Sequence, residues 1–228
     1  MMRVLVIIPA YNEAGNLASL IEKLRFECPR YDFLVINDSS DDDTSAVARL
    51  SGADVIDLPV NLGIGGAVQS GLIYALCHRY DAAVQVDGDG QHDPVYIRVL
   101  VNEIEKGADL CIGSRFIKNE GFRSTLTRRL GIRFFSSLIR LVTGIHTTDP
   151  TSGFRVYSRN AISLFAADYP RDYPEPESIV NAVRNGLRIS ERPVVMGMRT
   201  NGSSSITAVR SVYYMIKVTL AIIITSLF

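Results

Sequence analysis

Short apolar runs alternate along the first half of the chain with longer stretches in which apolar residues recur at helical spacing. The short runs predict buried strands, and the longer stretches predict helices that each bury one face. This alternation favours βα repeats around a mostly parallel sheet, so we expect a three-layer α/β/α sandwich. The predicted strands span residues 3–8, 33–36, 54–58, 82–86 and 108–112, and the predicted helices span residues 14–26, 43–50, 66–79 and 95–105.

Polar turns follow these strands at residues 9–13, 37–44, 61–66 and 87–94. In open α/β folds, ligands bind at the sheet edge where the carboxyl ends of parallel strands meet, so we expect the four turns to build one pocket. Asp38 comes first after its strand and is the predicted ligand contact of the second turn. Asp41, Asp42 and Asp43 suit helix caps and first-turn acids.

Two carboxylates, Asp87 and Asp89, follow the predicted strand 82–86 with only Gly88 between them. The small residue lets both turn towards one point and lets a phosphate or sugar approach closely. Hard oxygen ligands of this kind suit Mg²⁺ or Mn²⁺, which keep open positions for the phosphates of a substrate. The alternative is an acidic turn that caps the helix begun by Pro94, although capping needs only one carboxylate.

A basic amphipathic segment at residues 122–143 lies within the predicted main domain, residues 1–205, and an apolar tail follows at residues 206–228. Arginines interspersed with Leu, Ile and Phe are typical of helices on anionic membranes; an ordinary packed surface helix is the alternative.

The tail is apolar on every side except at Lys217 and is near the lower limit for crossing a bilayer, about 17–25 residues. We expect it to attach to a membrane with Lys217 at the interface; a buried tail helix or an oligomer contact is the alternative.

The formal net charge of zero argues against a nucleic-acid-binding protein whose affinity rests on neutralising phosphates. Cys28, Cys77 and Cys111 are odd in number and far apart, which indicates reduced thiols in the cytoplasm rather than disulfides or a zinc site. Residues 63–68 half resemble a dinucleotide fingerprint, but Val68 stands where its last glycine belongs, and no P-loop element occurs. Phosphates must therefore be held by a metal and by other side chains.

Six ordered motifs resemble the family 2 glycosyltransferases of the GT-A fold, and among them the polyprenyl-phosphate sugar transferases, the group that includes dolichyl-phosphate mannose synthase. Each motif is weak alone, but the ordered set is highly specific. The motifs are Ile-Pro-Ala-Tyr-Asn-Glu at 8–13, Asn-Asp-Ser-Ser-Asp-Asp at 37–42, Asn-Leu-Gly at 61–63, Asp-Gly-Asp-Gly-Gln-His-Asp-Pro at 87–94, Gly-Ser-Arg at 113–115 and Thr-Asp-Pro-Thr-Ser-Gly-Phe-Arg at 148–155.

The resemblance implies three sets of site residues. Arg199 would fold over the diphosphate, with a solvated loop arginine as the alternative. The nucleotide-sugar contacts would be Pro9, Tyr11, Glu13, Asp38, Gly65, Asp87, Gly88, Asp89 and Arg199; the ligands of Mg²⁺ or Mn²⁺ would be Asp87, Asp89 and Gln91; and the acceptor phosphate would bind Arg115, Arg128 and Arg129.

A lipid monophosphate acceptor changes the expected mechanism. Its second pKa is about 6, so it is already a nucleophilic oxyanion near neutral pH and needs no general base. Catalysis would then rest on alignment and charge stabilisation, with Asp89, Arg115 and Asp149 as the catalytic set. Asp149 would orient the acceptor or sugar, or act as base towards a hydroxyl acceptor; a turn residue before Pro150 is an equal alternative.

Glu175 and Glu177 precede a predicted helix at residues 179–184. The resemblance places this segment near the sugar, where one of the two would contact a sugar hydroxyl. The alternative is that both stabilise the dipole of the helix.

We therefore expect an inverting enzyme that moves one hexose or N-acetylhexosamine from a nucleotide diphosphate sugar to undecaprenyl phosphate or a similar lipid. By resemblance to bacterial relatives the donor is UDP-glucose or UDP-N-acetylglucosamine. The product is a lipid-linked sugar for cell-envelope glycans, made at the cytoplasmic face of the membrane. The tail provides at most one membrane span, so we expect a homo-oligomer or a small membrane partner to complete the membrane anchor.

Three alternatives stay open. Transfer to a sugar or protein hydroxyl would need a general base. A sugar-nucleotide pyrophosphorylase should carry a Gly-rich basic loop where this chain has residues 9–13. A non-catalytic membrane scaffold would not need the carboxylates at the sheet edge.

Overall fold

The computed structural model describes residues 2–118, 126–197 and 208–227, and the side chains of residues 2–118, 129–197 and 213–227. Seven strands form one sheet in this part of the chain, in the order β3-β2-β1-β4-β6-β5-β7. The strands are β1 Val4–Ala10, β2 Asp32–Asn37, β3 Asp54–Asp57, β4 Ala82–Gln85, β5 Leu110–Ser114, β6 Arg155–Ser158 and β7 Ile189–Pro193.

Helices on both faces of the sheet complete the sandwich. They are α1 Ala14–Glu27, α2 Thr44–Leu50, α3 Gly63–Cys77, α4 Ile97–Glu105, α5 Leu126–Thr143, α6 Arg159–Ala167, α7 Pro174–Arg184 and α8 Ala208–Leu227, with one 3₁₀ turn at Pro94–Tyr96.

The two faces of the sheet bury separate apolar cores. Leu5 and Ile7 of β1 point to one face, where they pack with α3, α5, α6, α7 and α8. Val6 and Ile8 point to the other face, where they pack with α1, α2 and α4. Successive residues of a strand point to opposite faces, so a central strand with helices on both sides is apolar throughout. The predicted three-layer α/β/α sandwich is confirmed.

All neighbouring strands are parallel except β6, which runs antiparallel to both β4 and β5. The five predicted strands are observed, but β6 and β7 were missed in the sequence. β6 begins with a fully buried arginine, Arg155, and β7 is a partly exposed edge strand of mixed polarity. Neither carries the apolar run by which a strand is recognised.

The predicted amphipathic segment contains α5, which buries Ile132, Phe135 and Ile139 and exposes Leu130 and Leu141. The predicted tail is α8, which packs against α5 and α7.

One face of the predicted apolar tail helix packs on the domain, as in the alternative of a buried tail helix. Val218 and Ile222 of α8 belong to the core beneath the sheet, so one face of the tail is buried. Lys217 forms an ion pair with Asp172 instead of standing alone. Within the described residues, no helix is both long enough and apolar enough to span a bilayer.

Candidate active site

Hydrogen bonds tie the turns after β1, β2 and β3 together at the carboxyl edge of the sheet. The Asp38 N–H donates to the Ala10 carbonyl at 2.9 Å, and the Leu62 N–H donates to Asp38 Oδ1 at 2.7 Å. The Asn12 N–H donates to Ser40 Oγ at 2.9 Å. Three of the predicted turns therefore form one continuous surface, and the buried Asp38 carboxylate is the link between two of them.

The first turn carries one exposed aromatic ring between a buried residue and a hydrogen-bonded residue. Pro9 is buried at the end of β1, whereas Tyr11 is 47% exposed. Glu13 ends the turn at the start of α1, where its carboxylate accepts a hydrogen bond from Asn16 Nδ2 at 2.6 Å and its N–H donates to Thr44 Oγ1 at 2.9 Å. Tyr11 is thus the member of this turn whose side chain is open to a planar ligand such as a base.

Two glycines of the predicted site are required by close packing. A Cβ at Gly65 would lie 2.2 Å from the Arg171 carbonyl oxygen and 2.3 Å from that of Pro170. At Gly88 it would lie 3.1 Å from the Pro9 carbonyl oxygen, to which the Gly88 N–H donates. Gly65 therefore has a packing role that does not depend on nucleotide binding, and Gly88 lets the β4 turn close against the β1 turn.

The two carboxylates after β4 differ in exposure. The Asp87 side chain is 35% exposed, whereas Asp89 is 8% exposed and accepts a hydrogen bond from the Gln91 N–H at 3.0 Å. Gln91 in turn accepts from the Gly197 N–H through its carbonyl oxygen at 2.9 Å, so the segment after β7 lies beside this turn.

The donor set fits a divalent cation with an open coordination sphere. No group of three His, Cys, Asp or Glu side chains converges as a metal site within the described residues. Two carboxylates and an amide, those of Asp87, Asp89 and Gln91, are few enough to leave positions for water and substrate phosphates, as Mg²⁺ and Mn²⁺ sites commonly do.

Arg115 and Asp149 bind each other. Arg115 Nε lies 2.6 Å from Asp149 Oδ2 and its Nη2 lies 2.7 Å from Oδ1, while Nη2 also reaches Thr151 Oγ1 at 3.0 Å. The Asp149 side chain is fully buried and that of Arg115 is 10% exposed. Both carboxylate oxygens are therefore engaged, which argues against Asp149 as a general base and against Arg115 as a free phosphate clamp.

Glu191 of β7 was missed in the sequence. Its carboxylate accepts hydrogen bonds from Thr147 Oγ1 at 2.5 Å, from the Thr148 N–H at 2.8 Å and from the Asp149 N–H at 3.2 Å. These hydrogen bonds fix the loop that places Asp149 beside Arg115. No local motif marks Glu191, because its partners lie more than 40 residues away in the chain.

Arg155, the last residue of the motif at 148–155, is fully buried and has a structural role. Its guanidinium donates to the carbonyls of Ser152 and Glu175 at 2.7 Å each and to Ser178 Oγ at 2.7 Å. It therefore joins the loop that follows Asp149 to the first turn of α7.

Helix α7 begins at Pro174, earlier than predicted, so Glu175 and Glu177 lie in its first turn. Burial raises the pKa of Glu175, and Asp87 raises it further, against the lowering effect of Arg155. Burial also raises the pKa of Glu177, whose carboxylate accepts a hydrogen bond from Thr225 Oγ1 at 3.0 Å. Glu177 therefore faces α8, whereas the backbone carbonyl of Glu175 faces the buried Arg155.

The structure describes the remaining predicted arginines to different extents. Arg199 lies outside the described residues, and Arg128 belongs to α5 but its side chain is not described. Among the described residues, Arg129 has a buried Nε with no hydrogen-bond partner. A buried donor of this kind costs about 1–3 kcal/mol unless a ligand or water satisfies it, which makes Arg129 a candidate anion contact.

The sequence matches the family model of glycosyl transferase family 2 over residues 5–165. It is 33% identical to the polyprenol monophosphomannose synthase of Mycolicibacterium smegmatis, over 90% of this chain and 81% of that protein. It is 34% identical to the undecaprenyl-phosphate mannosyltransferase of Micrococcus luteus, over 90% and 88%. The chain therefore belongs to glycosyl transferase family 2 and is a glycosyltransferase.

Solved structures agree on the fold. A glucosyl-3-phosphoglycerate synthase from Mycobacterium tuberculosis, in complex with Mn²⁺, UDP-glucose and phosphoglyceric acid, superposes with a TM-score of 0.76 at 20% identity, covering 99% of this chain and 80% of that one. The same protein with UDP alone gives a TM-score of 0.73 at 19% identity, covering 99% and 80%. The predicted GT-A type of α/β sheet is confirmed.

Proposed function

We propose that this glycosyltransferase moves one sugar from a nucleotide diphosphate sugar to the phosphate of a polyprenyl phosphate. The observation that carries the proposal is the position of Asp87 and Asp89 at the carboxyl end of β4, where the turn is bonded to the end of β1. Two carboxylates at that edge suit the cation that accompanies a diphosphate. Held by Asp87 and Asp89, Mg²⁺ or Mn²⁺ would supply Lewis-acid stabilisation of the leaving diphosphate. Mn²⁺ accompanies UDP-glucose in the structurally similar synthase, which supports this choice.

The transfer forms a bond between an acceptor phosphate oxygen and the anomeric carbon while the bond from that carbon to the diphosphate breaks. Attack from the opposite side inverts the anomeric centre. Asp149 is engaged by Arg115, so the site lacks a base at that position, and this supports an acceptor that is already an oxyanion. The buried, unpartnered Nε of Arg129 supports an anionic acceptor next to α5.

We propose one class of acceptor but two nucleotide sugars as donors. UDP-glucose and UDP-N-acetylglucosamine remain our proposed donors. A relative from Methanococcus voltae, 28% identical over 83% of each protein, is named a UDP-N-acetylglucosamine–dolichyl-phosphate N-acetylglucosaminyltransferase, which supports the second. The two relatives described above are named for mannose, so GDP-mannose is the competing donor to be tested.

We also propose that the enzyme acts on the cytoplasmic face of the cell membrane. Helix α8 carries an outer stripe of exposed apolar side chains, and α5 exposes Phe134 and Leu141 beside Arg133 and Arg140. Apolar side chains with flanking arginines suit a helix that lies on an anionic bilayer. The stripe consists of Tyr213, Ile216, Leu220, Ile223, Ile224 and Leu227.

The test is transfer of label from UDP-glucose, UDP-N-acetylglucosamine or GDP-mannose into the lipid phase, with and without undecaprenyl phosphate and Mn²⁺, using an Asp89→Asn variant as control. Label in lipid that needs both acceptor and metal, and that the variant loses, is the expected result. Equal transfer to a soluble hydroxyl without lipid would overturn the proposed acceptor and would return Asp149 to consideration as the general base.

A further inference from the structure

A buried chain of hydrogen bonds leads from the core of the domain to the Asp87 carboxylate. Tyr169 and Tyr157 place their hydroxyl oxygens 3.2 Å apart, and the Tyr157 hydroxyl donates to Gln85 Oε1 at 3.0 Å. Gln85 Nε2 donates to Asp87 Oδ1 at 3.3 Å. Tyr157 and Gln85 are fully buried, so no solvent competes for these bonds.

Each bond in this chain has only one possible direction. A carboxylate oxygen accepts, so the Gln85 amide turns its nitrogen towards Asp87 Oδ1 and its oxygen towards Tyr157. Tyr157 has one hydroxyl proton and gives it to Gln85, so the proton between the two tyrosines comes from Tyr169. Burial raises the pKa of Tyr157 to about 12, so its hydroxyl keeps that proton at neutral pH. The donors therefore all point towards Asp87.

His92 approaches the second oxygen of the same carboxylate. The Asp87 N–H donates to His92 Nδ1 at 3.1 Å, so Nδ1 is the accepting nitrogen of this ring. The other ring nitrogen, Nε2, lies 3.6 Å from Asp87 Oδ2. The ring is buried and stacks on Phe154 with centroids 4.8 Å apart and planes 8° apart, so it cannot swing away.

Gly153 packs directly against the Asp87 carboxylate. A Cβ at this glycine would lie 3.1 Å from both Asp87 Oδ2 and Gln85 Nε2, so the bare Cα is packed directly against these atoms. One oxygen of Asp87 is thus held by Gln85, the other faces His92, and the remaining third of the side chain is open to the site.

We propose that Gln85 is a positioning residue that holds the Asp87 carboxylate in one orientation for the divalent cation, and that Tyr157 sets the direction of the Gln85 amide. The inference rests on the proposed function, in which Asp87 and Asp89 bind that cation with the diphosphate. Partners that orient a metal-binding carboxylate remove the need to order it when the metal binds, so their loss weakens metal affinity about 10- to 100-fold.

The test compares Gln85→Met and Tyr157→Phe with Tyr169→Phe, which removes a hydroxyl from the same chain without touching Gln85. Mn²⁺ binding in the presence of UDP is measured by the electron paramagnetic resonance signal of free Mn²⁺, and the apparent activation constant for Mn²⁺ and kcat at saturating metal are measured alongside. Circular dichroism and thermal unfolding establish that each variant is folded.

Gln85→Met is expected to weaken Mn²⁺ binding at least about tenfold and Tyr157→Phe about threefold or more, with kcat recovered in part at saturating Mn²⁺. Tyr169→Phe is expected to bind Mn²⁺ like the wild type. If Gln85→Met does not fold, Tyr157→Phe decides. Wild-type affinity in the folded Gln85 or Tyr157 variant, or an equal loss in Tyr169→Phe, would overturn the inference. Wild-type protein that binds no Mn²⁺ with UDP would instead refute the proposed function.

Discussion

Arg115 and Asp149 form a two-point ion pair in which Nε to Oδ2 is 2.6 Å and Nη2 to Oδ1 is 2.7 Å. The Arg115 N–H also donates to Asp149 Oδ2, at 3.1 Å. The pair joins the end of β5 to the loop before β6, which are 34 residues apart in the chain. One guanidinium therefore engages both carboxylate oxygens of Asp149.

Asp149→Ala should lower the free energy of unfolding by about 3–5 kcal/mol, because it leaves the Arg115 guanidinium buried without its partner. Urea unfolding measures the difference. The matched control is Asp172→Ala, whose carboxylate pairs with Lys217 at an exposed position and should contribute far less to stability. Full stability of Asp149→Ala together with lost turnover would restore the role of general base to Asp149.

Glu175→Gln should change the pH dependence of stability. Burial raises the pKa of Glu175 in the folded protein above its ordinary value of 4.5, so the folded state binds more protons than the unfolded state just above that pH. The Glu175 carboxyl group therefore stabilises the wild type at pH values below the pKa that this group has in the unfolded chain. This stabilisation is lost as the pH rises through the pKa of the group in the folded protein. The variant should gain stability relative to the wild type as the pH rises above 4.5, as followed by urea unfolding at a series of pH values; parallel profiles would contradict this.

The βα order of the first half was predictable because each strand there is a buried apolar run between turns, as in β1 and β4. The antiparallel direction of β6 was not predictable, because a local pattern of apolar residues carries no information on strand direction. Asp87 and Asp89 could be placed at the sheet edge because they directly follow a strand. The partners Arg115, Asp149 and Glu191 come from three distant segments, and only the folded chain shows that they meet.

Gly65→Ala should destabilise the protein by about 1–3 kcal/mol, because the new methyl group would meet two backbone carbonyl oxygens that cannot move aside. Gly131→Ala is the control, because its Cβ would meet only Met215 Sδ, at 3.4 Å, and alanine favours a helix by up to about 1 kcal/mol. Thermal unfolding compares the two. Equal stability of both variants would show that residues 170–171 do not pack on α3 as described.

The native protein should react with N-ethylmaleimide at one of its three cysteines. Cys77 is exposed, whereas Cys28 and Cys111 are buried, and burial raises their pKa to about 11 and about 12. The thiolate is the reactive form, so buried thiols with a raised pKa react slowly. Mass spectrometry should show one adduct on the folded protein and three after denaturation. Early modification of Cys111 would contradict the position of β5 inside the sheet.

Replacing the outer stripe of α8 with polar residues should release the protein from anionic vesicles. Burial of one exposed aliphatic side chain in lipid contributes on the order of 1 kcal/mol, so the triple variant Ile216→Gln, Leu220→Gln, Ile224→Gln should lower the partition coefficient on the order of a hundredfold. Val218 and Ile222 stay in place, so the helix keeps its contact with the core. Co-sedimentation with vesicles that contain anionic lipid measures the change.

The matched control for α8 is the triple variant Phe26→Gln, Leu50→Gln, Val99→Gln. These side chains are also exposed but belong to α1, α2 and α4, which cover the opposite face of the sheet from α8. If the stripe on α8 is what meets the bilayer, the control binds vesicles like the wild type and both triple variants unfold at similar temperatures. If both variants lose binding equally, attachment does not depend on α8, and the proposed orientation on the membrane is wrong.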